Sequence, residues 1–434
     1  MPEVNTKTIS IERLKRFLDD LPATSTLFPI MPPGYAWSSS DKTASTDRYN
    51  APVAVTLANG GIRLVCGSTG SSPGGIIYSD DGGATWNNSD KTTGSWGTPT
   101  VYTYSGWTGL VCSGSGGIIY SGDRGVTWRA SNITSGTVAS ITAFTYNGAT
   151  RLVGANLVYS DDGGATWTNP GVTGTWNTPT AFTWNGTTRL VSGSIASYTT
   201  NNGLIYSDDG GITWSRGSIW TPAGEPDSFD YFSPVAFTYN GSTRLITFSK
   251  TYGSGFTYSD DGGATWRVSY TGVSGKRNVP TAFTWNGSTR LIASAINVGQ
   301  VIYSDDGGMT WTASDLVTHA WLPVTAFVYN NATYLVTCDK YGDMGIVYSS
   351  DGGITWNRST ETTIRGDGAG AIVAFTFNND VRLIFGSQMS GIKYSDPSVT
   401  LDPAAKSDDG KFVTRDFLKD TISDLLTYLD IRLS

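Results

Sequence analysis

Histidine is nearly absent from this sequence. One stands in 434 residues, His319, so a Ser–His–Asp triad has a single candidate base, read here as a loop surface residue. Glutamate is almost as scarce. Glu3, Glu12, Glu225 and Glu361 are the only four among 36 acids, which leaves 32 aspartates. Aspartate favours turns and glutamate favours helices, so the acids describe a turn-rich chain before they describe chemistry. Three cysteines, Cys66, Cys112 and Cys338, are too few and too odd in number for a disulfide framework. Cys66 and Cys112 each follow Leu-Val in similar segments, which reads as buried strand positions. Charged residues make up 15 %, against about 25 % in an ordinary soluble chain. The 29 basic and 36 acidic side chains give a net charge of −7. That balance argues against a nucleic-acid partner, which calls for a basic excess. No run of 18 apolar residues occurs, which argues against a membrane-spanning helix and membrane insertion. The N-terminus has no apolar signal core, so synthesis in a cytoplasm without a conventional export signal is expected.

Glycine and aromatics are what the chain has in excess. Gly is 53 residues and Phe, Trp and Tyr together reach 12 %. Disorder is excluded by so many aromatics and so few charges. Self-similarity organises them. Tyr-Ser-Asp-Asp-Gly-Gly-x-Thr-Trp, or a close variant, begins at Tyr78, Tyr120, Tyr159, Tyr206, Tyr258, Tyr303 and Tyr348. A second motif, Pro-Thr-Ala-Phe-Thr-Tyr/Trp-Asn-Gly-x-Thr-Arg-Leu, is clearest from Pro179, Pro234 and Pro280. It is recognisable from Pro52, Pro99, Ile141, Pro323 and Ile372. Its eight starts lie 38 to 55 residues apart.

Each unit reads as four strands. The alternating Pro-Thr-Ala-Phe-Thr-Tyr segment is the first. Asn147-Gly148, Asn185-Gly186, Asn240-Gly241 and Asn286-Gly287 are hairpin turns, because Asn and Gly tolerate positive φ. Turn chemistry also accounts for the Asn-x-Ser/Thr sequons at Asn185, Asn240 and Asn286. Arg-Leu-Val/Ile opens the second strand, Ile-Val-Tyr-Ser is the third, and Thr-Trp opens the fourth after an Asp-Asp-Gly-Gly turn. Four antiparallel strands per unit of this length predict a β-propeller blade. The expected fold is all-β, an eight-bladed β-propeller of four-stranded antiparallel blades. The eighth unit breaks at Pro397 after Ile392–Asp396. Trp37–Thr43 matches Trp86–Thr92, so an N-terminal strand from 35–43 is expected to pair with 390–396 and close the ring.

The repeated box resembles the Asp-box of the BNR-repeat propellers. That superfamily holds sialidases, xyloglucan-cleaving glycosidases, sortilin-like receptors and binding proteins without catalysis. The match falls on Ser79, Asp81, Gly83 and Trp86, and on Ser121, Asp123, Gly125 and Trp128. It continues on Ser160, Asp162, Gly164 and Trp167, and on Ser207, Asp209, Gly211 and Trp214. The last three copies are Ser259, Asp261, Gly263 and Trp266; Ser304, Asp306, Gly308 and Trp311; and Ser349, Asp351, Gly353 and Trp356. The resemblance implies a fold rather than a reaction. Residues present in every unit are assigned structural work. The box Ser and Asp satisfy their own turn, the Trp packs between sheets, and Arg63, Arg151, Arg189, Arg244, Arg290 and Arg382 pair with blade neighbours. No metal is expected, since the box lacks the downstream Glu of a calcium loop, and no cofactor is expected.

Short uniform turns on one face and long variable connections on the other place a binding surface on the variable face. Its aromatic candidates for ligand contact are Trp220, Tyr231, Phe232 and Tyr252, with Trp96, Trp176, Trp321 and Tyr341. The first three belong to the longest insertion, 215–233. Trp96, Trp176 and Trp321 recur just before a blade opens, which rim packing explains as well as ligand contact. The sialidase Arg-Ile/Leu-Pro motif is missing. A two-carboxylate glycosidase could draw on Glu225, Glu361, Asp227, Asp230, Asp315, Asp339, Asp343 and Asp367.

Two helices are expected outside the ring, Ile11–Leu21 capped by Ser10 and Leu418–Leu433 capped by Thr414. Their apolar stripes suggest a homo-oligomer, a trimer, or docking on a larger virion assembly. The expected organisation is an N-terminal helix and linker (1–34), the propeller (35–396), and a linker and C-terminal helix (397–434). Helical ends, no signal peptide and a Gly/Ser/Thr/aromatic-rich β head are also similar to phage tail-fibre receptor-binding proteins. The leading expectation is non-catalytic binding, a virion adhesin recognising a cell-surface glycan or protein receptor. The alternatives are a glycoside hydrolase acting on surface polysaccharide and a scaffold propeller docking a protein partner.

Overall fold

The structure, a computed structural model, describes residues 26–42, 48–69, 74–135, 140–195, 203–220, 231–248, 255–270, 277–297, 299–317, 319–341, 344–360, 371–387, 390–396, 398–399 and 412–414. The chain divides into two units, Gly34–Asp396, and Met1–Pro33 with Pro397–Ser434.

Gly34–Asp396 is an eight-bladed propeller of antiparallel sheets. Blade 1 opens with Val53–Thr56 and blade 8 with Ala371–Phe377. Blade 6 is typical. Thr281–Trp285 pairs with Ser288–Ala293, which pairs with Ile302–Ser304, which pairs with Thr312–Ala313. The hairpin between its first two strands is Asn286-Gly287, with φ of 48° and 79°. Two successive positive φ values make the turn whose twist matches the flanking strands. Ser105-Gly106, Asn330-Asn331 and Asn378-Asn379 turn in the same way.

The first strands of consecutive blades neighbour one another around the ring. Threonines stitch them. Thr100, Thr142, Thr180, Thr281 and Thr325 each donate a hydroxyl to a carbonyl at the start of the next blade, at 2.5–2.7 Å. Apolar side chains fill the space between blades. Leu64, Leu110, Leu190, Leu245, Leu291, Leu335 and Leu383 of the second strands are fully buried. So are the three free cysteines, and burial pushes the thiols of Cys66 and Cys112 far up.

The ring closes as the repeat predicts, with Ser38–Ser39 pairing with Gly391–Ser395. The closure goes further than one strand. Gly34 N donates to Ser395 Oγ at 2.7 Å and Trp37 Nε1 donates to Gly34 O at 2.9 Å. In blade 1 the same bonds are Gly83 N to Ser79 Oγ and Trp86 Nε1 to Gly83 O. The Ser–Gly and Trp–Gly bonds of an eighth box therefore exist, split between the two ends of the propeller, without its Asp and Thr.

Three expectations need correction. In blades 1, 2, 4, 6 and 7 the fourth strand is two residues long and starts after the Trp, because Thr and Trp are held inside the box. Blade 3 keeps only a bridge, Tyr159 to Thr168. Blade 5 alone has a long fourth strand, Thr265–Tyr270, and Ser218–Trp220 from the 215–233 insertion pairs parallel to its outer edge. Among the described residues Ser218–Trp220 is the one strand added to a blade's outer edge. The second correction concerns the segments read as linkers. Thr26–Met31, Ser398–Val399 and Phe412–Thr414 form a three-stranded antiparallel sheet. The third concerns the repeated arginines, five of which bond to the neighbouring blade as expected but form their ion pair within their own blade. The helices expected at Ile11–Leu21 and Leu418–Leu433 lie outside the described residues. Among the described residues no helix is long and apolar enough to cross a membrane.

Candidate functional site

The Asp-box face is used up by the fold. In each of seven complete boxes the Ser hydroxyl donates to the Asp carboxylate at 2.8–2.9 Å and accepts from a Gly amide. The Asp also accepts the Thr hydroxyl at 2.5–2.6 Å. Burial works against the charge of Asp81, but the Thr85 hydroxyl and amide, the Ser79 hydroxyl and the Ala84 amide outweigh it and hold the carboxyl below its ordinary value. Asp123, Asp162, Asp209, Asp261, Asp306 and Asp351 are lowered in the same way.

The repeated arginines do two jobs each. Arg290 places Nε and Nη2 on Asp305 of its own blade, at 2.6 and 2.7 Å, and Nη1 on Gly352 O of the next blade at 3.1 Å. Its guanidinium lies between the rings of Trp285 and Tyr303. Arg151, Arg189, Arg244 and Arg382 repeat both jobs. Arg63 pairs with Asp80, but the next blade carries Arg124 in place of the glycine that precedes the box glycine. Two blades lack both partners. Blade 2 has Gly109 and Gly122, and blade 7 has Tyr334 and Ser350, where the others have Arg and Asp. In blade 2 the Tyr102 hydroxyl donates to Gly163 O at 2.6 Å, taking over the bond to the next blade. A cavity of about 170 Å³ on this face is lined by Tyr258, Ser259, Asp260, Asp261, Thr265 and Arg267. Its two carboxylates are committed to Arg244 and to Thr265, so it belongs to the repeat.

The variable face is where the candidates stand or fall. Trp96, Trp176, Trp321 and Tyr231 are 2, 3, 1 and 0 % exposed, so their rings pack the core and cannot stack on a ligand. Each sits in one recurring slot. Trp96 N donates to Ser68 O, Tyr231 N to Ser194 O and Trp321 N to Ala295 O, each on the preceding blade. That backbone bond turns the ring inward between blades. Phe232 is half-buried against the blade 5–6 cluster. Trp220 contributes its backbone to the added strand. Tyr252 lies outside the described residues. Tyr341 is 54 % exposed, the one candidate shown with its ring on the surface.

Beside Tyr341 lies an arrangement that sequence reasoning missed. Asp339 is buried at the end of the second strand of blade 7. It meets His319 Nδ1 at 3.0 Å through Oδ2, and accepts Tyr341 N through Oδ1 and Met344 N through Oδ2, both at 3.0 Å. Lys340 N donates to Ala320 O, which ties the two connections together. His319 is part-exposed and its ring sits edge-on to Trp321. The Lys340 ammonium stands 5.5 Å from the Tyr341 ring. With Nδ1 on the carboxylate, the ring is held in one orientation and Nε2 is its other polar atom.

The position of Asp339 is a signal the sequence did carry. Four residues after the second-strand Leu, the other blades have Ser68, Gly114, Asn156, Ser194, Ser249, Ala295 and Ser387. Only blade 7 places a carboxylate there. Of the remaining glycosidase candidates, Asp315 is the only other one described. It accepts the Trp356 amide of the next box, and burial, with the charge of Asp351, raises its carboxyl. Asp90 does the same for Trp128, so Asp315 is an interblade clip. Glu225, Asp227, Asp230, Asp343, Glu361 and Asp367 lie outside the described residues. Among the described residues no cluster of three His, Cys, Asp or Glu side chains could hold a metal.

Comparison with known proteins supports the repeat. Residues 77–88, 158–169, 205–216, 302–313 and 347–358 match the BNR/Asp-box repeat family. No curated protein sequence matches the chain. Among solved structures, YCF48 from Cyanidioschyzon merolae is similar, at 15 % identity and a TM-score of 0.46, over 83 % of this chain and 98 % of that one. BamB from Moraxella catarrhalis matches at 14 % identity and 0.49, over 85 % and 100 %. A mutant of NanB sialidase from Streptococcus pneumoniae matches at 16 % and 0.34, over 90 % and 73 %. The tail-fibre likeness finds no support in these comparisons.

Proposed function

We propose that this chain is a non-catalytic, adhesin-like binding protein that takes a surface glycan on the variable face of blades 6 and 7. The observation that carries the reading is the His319–Asp339 pair beside the exposed Tyr341. It breaks a pattern kept small or neutral in seven blades, and it is built on buried hydrogen bonds. A flat exposed ring offers a sugar a stacking surface. The oriented imidazole offers a hydroxyl a fixed hydrogen-bonding partner. How Asp339 is spent supports binding rather than hydrolysis by this pair. Both its oxygens are engaged by His319 and two amides, so it has no reach as a nucleophile or proton donor.

A glycan array of bacterial and host polysaccharides, probed with the full chain and with Tyr341→Ala, tests this. Selective binding that the variant loses supports the reading. Binding that survives in the variant, or no glycan binding at all, overturns it and turns attention to a protein receptor.

A further inference from the structure

Arg277 is the odd member of the slot that holds Tyr49, Trp96, Trp176, Tyr231 and Trp321 in other blades. Its backbone bridges Ala295 just as Trp96 bridges Gly114 and Trp321 bridges Asp339. The slot's structural work is therefore done by a buried ring in five blades and by a guanidinium in blade 6. That guanidinium is fully buried. Its Nη1 donates to Gln300 O. Among the described residues Nε and Nη2 have no hydrogen-bond partner, and neither do two other buried atoms of this junction, Gln300 Oε1 and Trp321 Nε1. Burial lowers the group to about 10, and no described carboxylate offsets it.

A buried cation without a counter-ion costs free energy that a ring would not. The unpartnered edge also has a known use in this molecule. Arg63, Arg151, Arg189, Arg244, Arg290 and Arg382 each hold a carboxylate side-on with the same two nitrogens, Nε and Nη2, at 2.6–2.8 Å. We propose that the Nε–Nη2 edge of Arg277 is a carboxylate-binding site, filled by a small monovalent carboxylate from solution. The planar, two-pronged edge suits a carboxylate better than a spherical halide. This site is independent of the glycan reading, since it lies beneath the surface and involves neither His319 nor Tyr341.

Thermal melting of the full chain in formate and in chloride, at one ionic strength and pH, tests the site, with the side-chain Nε–Hε resonance of Arg277 followed by NMR. The wild type should gain melting temperature in formate along a saturating curve, with a matching saturable shift of the resonance. Arg277→Lys keeps the charge without the fork and should lose the gain. Arg277→Trp, the residue of sister blades, should lose it too and melt no lower than the wild type in formate-free buffer. Arg277→Met stands in if the indole does not fit. Equal responses to formate and chloride would overturn the proposal. So would formate gains shared by wild type and variants, an unmoved resonance, or a large loss of stability in both apolar variants without formate.

Discussion

The two faces of the propeller are built on opposite rules. On the Asp-box face, seven complete boxes repeat the same bonds to within about 0.2 Å. On the variable face, blade 7 alone carries a buried aspartate that orients the sole histidine. Repetition there marks what every blade needs to fold, and departure marks what one blade does. The arginines show both sides of the rule. Where Arg and Asp both drop out, in blades 2 and 7, they drop out together, which is how a structural pair behaves.

That contrast can be broken in order of effect. Acid should act first on the repeated face. Each box carboxyl is held below its ordinary value, so its stabilisation is complete above the unfolded aspartate value of about 3.9 and drains as pH falls through the lower folded values. Urea midpoints should hold steady from about pH 7 to 5 and fall steeply below about pH 4. Asp209→Asn should show a lower plateau and a shallower fall. Among single changes, Trp266→Ala empties a fully buried box indole and should cost about 3–5 kcal/mol in chemical denaturation. Next, Asp305→Ser strands a largely buried Arg290 and should cost about 1–3 kcal/mol. Arg290→Tyr with Asp305→Ser recreates the blade 7 pair and should recover part of that loss in a double-mutant cycle. Tyr341→Ala, on the variable face, should move stability by less than about 0.5 kcal/mol.

The fold was legible because its main signals recurred, the first-strand motif eight times and the box seven. Asn-Gly turns in several units agreed with both, and the Trp37 segment matched Trp86 closely enough to close the ring. The split box was half legible. Gly34-Tyr35-Ala36-Trp37 reads as its second half only once Gly34 is seen on Ser395. The site was much less legible. Trp96 and Tyr341 are both loop aromatics in sequence. What separates them is the backbone bond from Trp96 N to Ser68 O, which turns the indole inward between blades. His319 and Asp339 belong to two connections that meet only in the folded chain. The aspartate's departure from its seven counterparts was visible, but its partner was not.

The central claim is that binding resides in the non-repeating residues of blades 6 and 7 and stability in the repeat. Glycan-array binding and melting, measured side by side for Tyr341→Ala and Asp209→Asn, test it most directly. The account predicts that Tyr341→Ala loses binding at an unchanged melting temperature, while Asp209→Asn binds as the wild type does and melts lower. Full binding by Tyr341→Ala, or loss of binding by a folded Asp209→Asn, would contradict it.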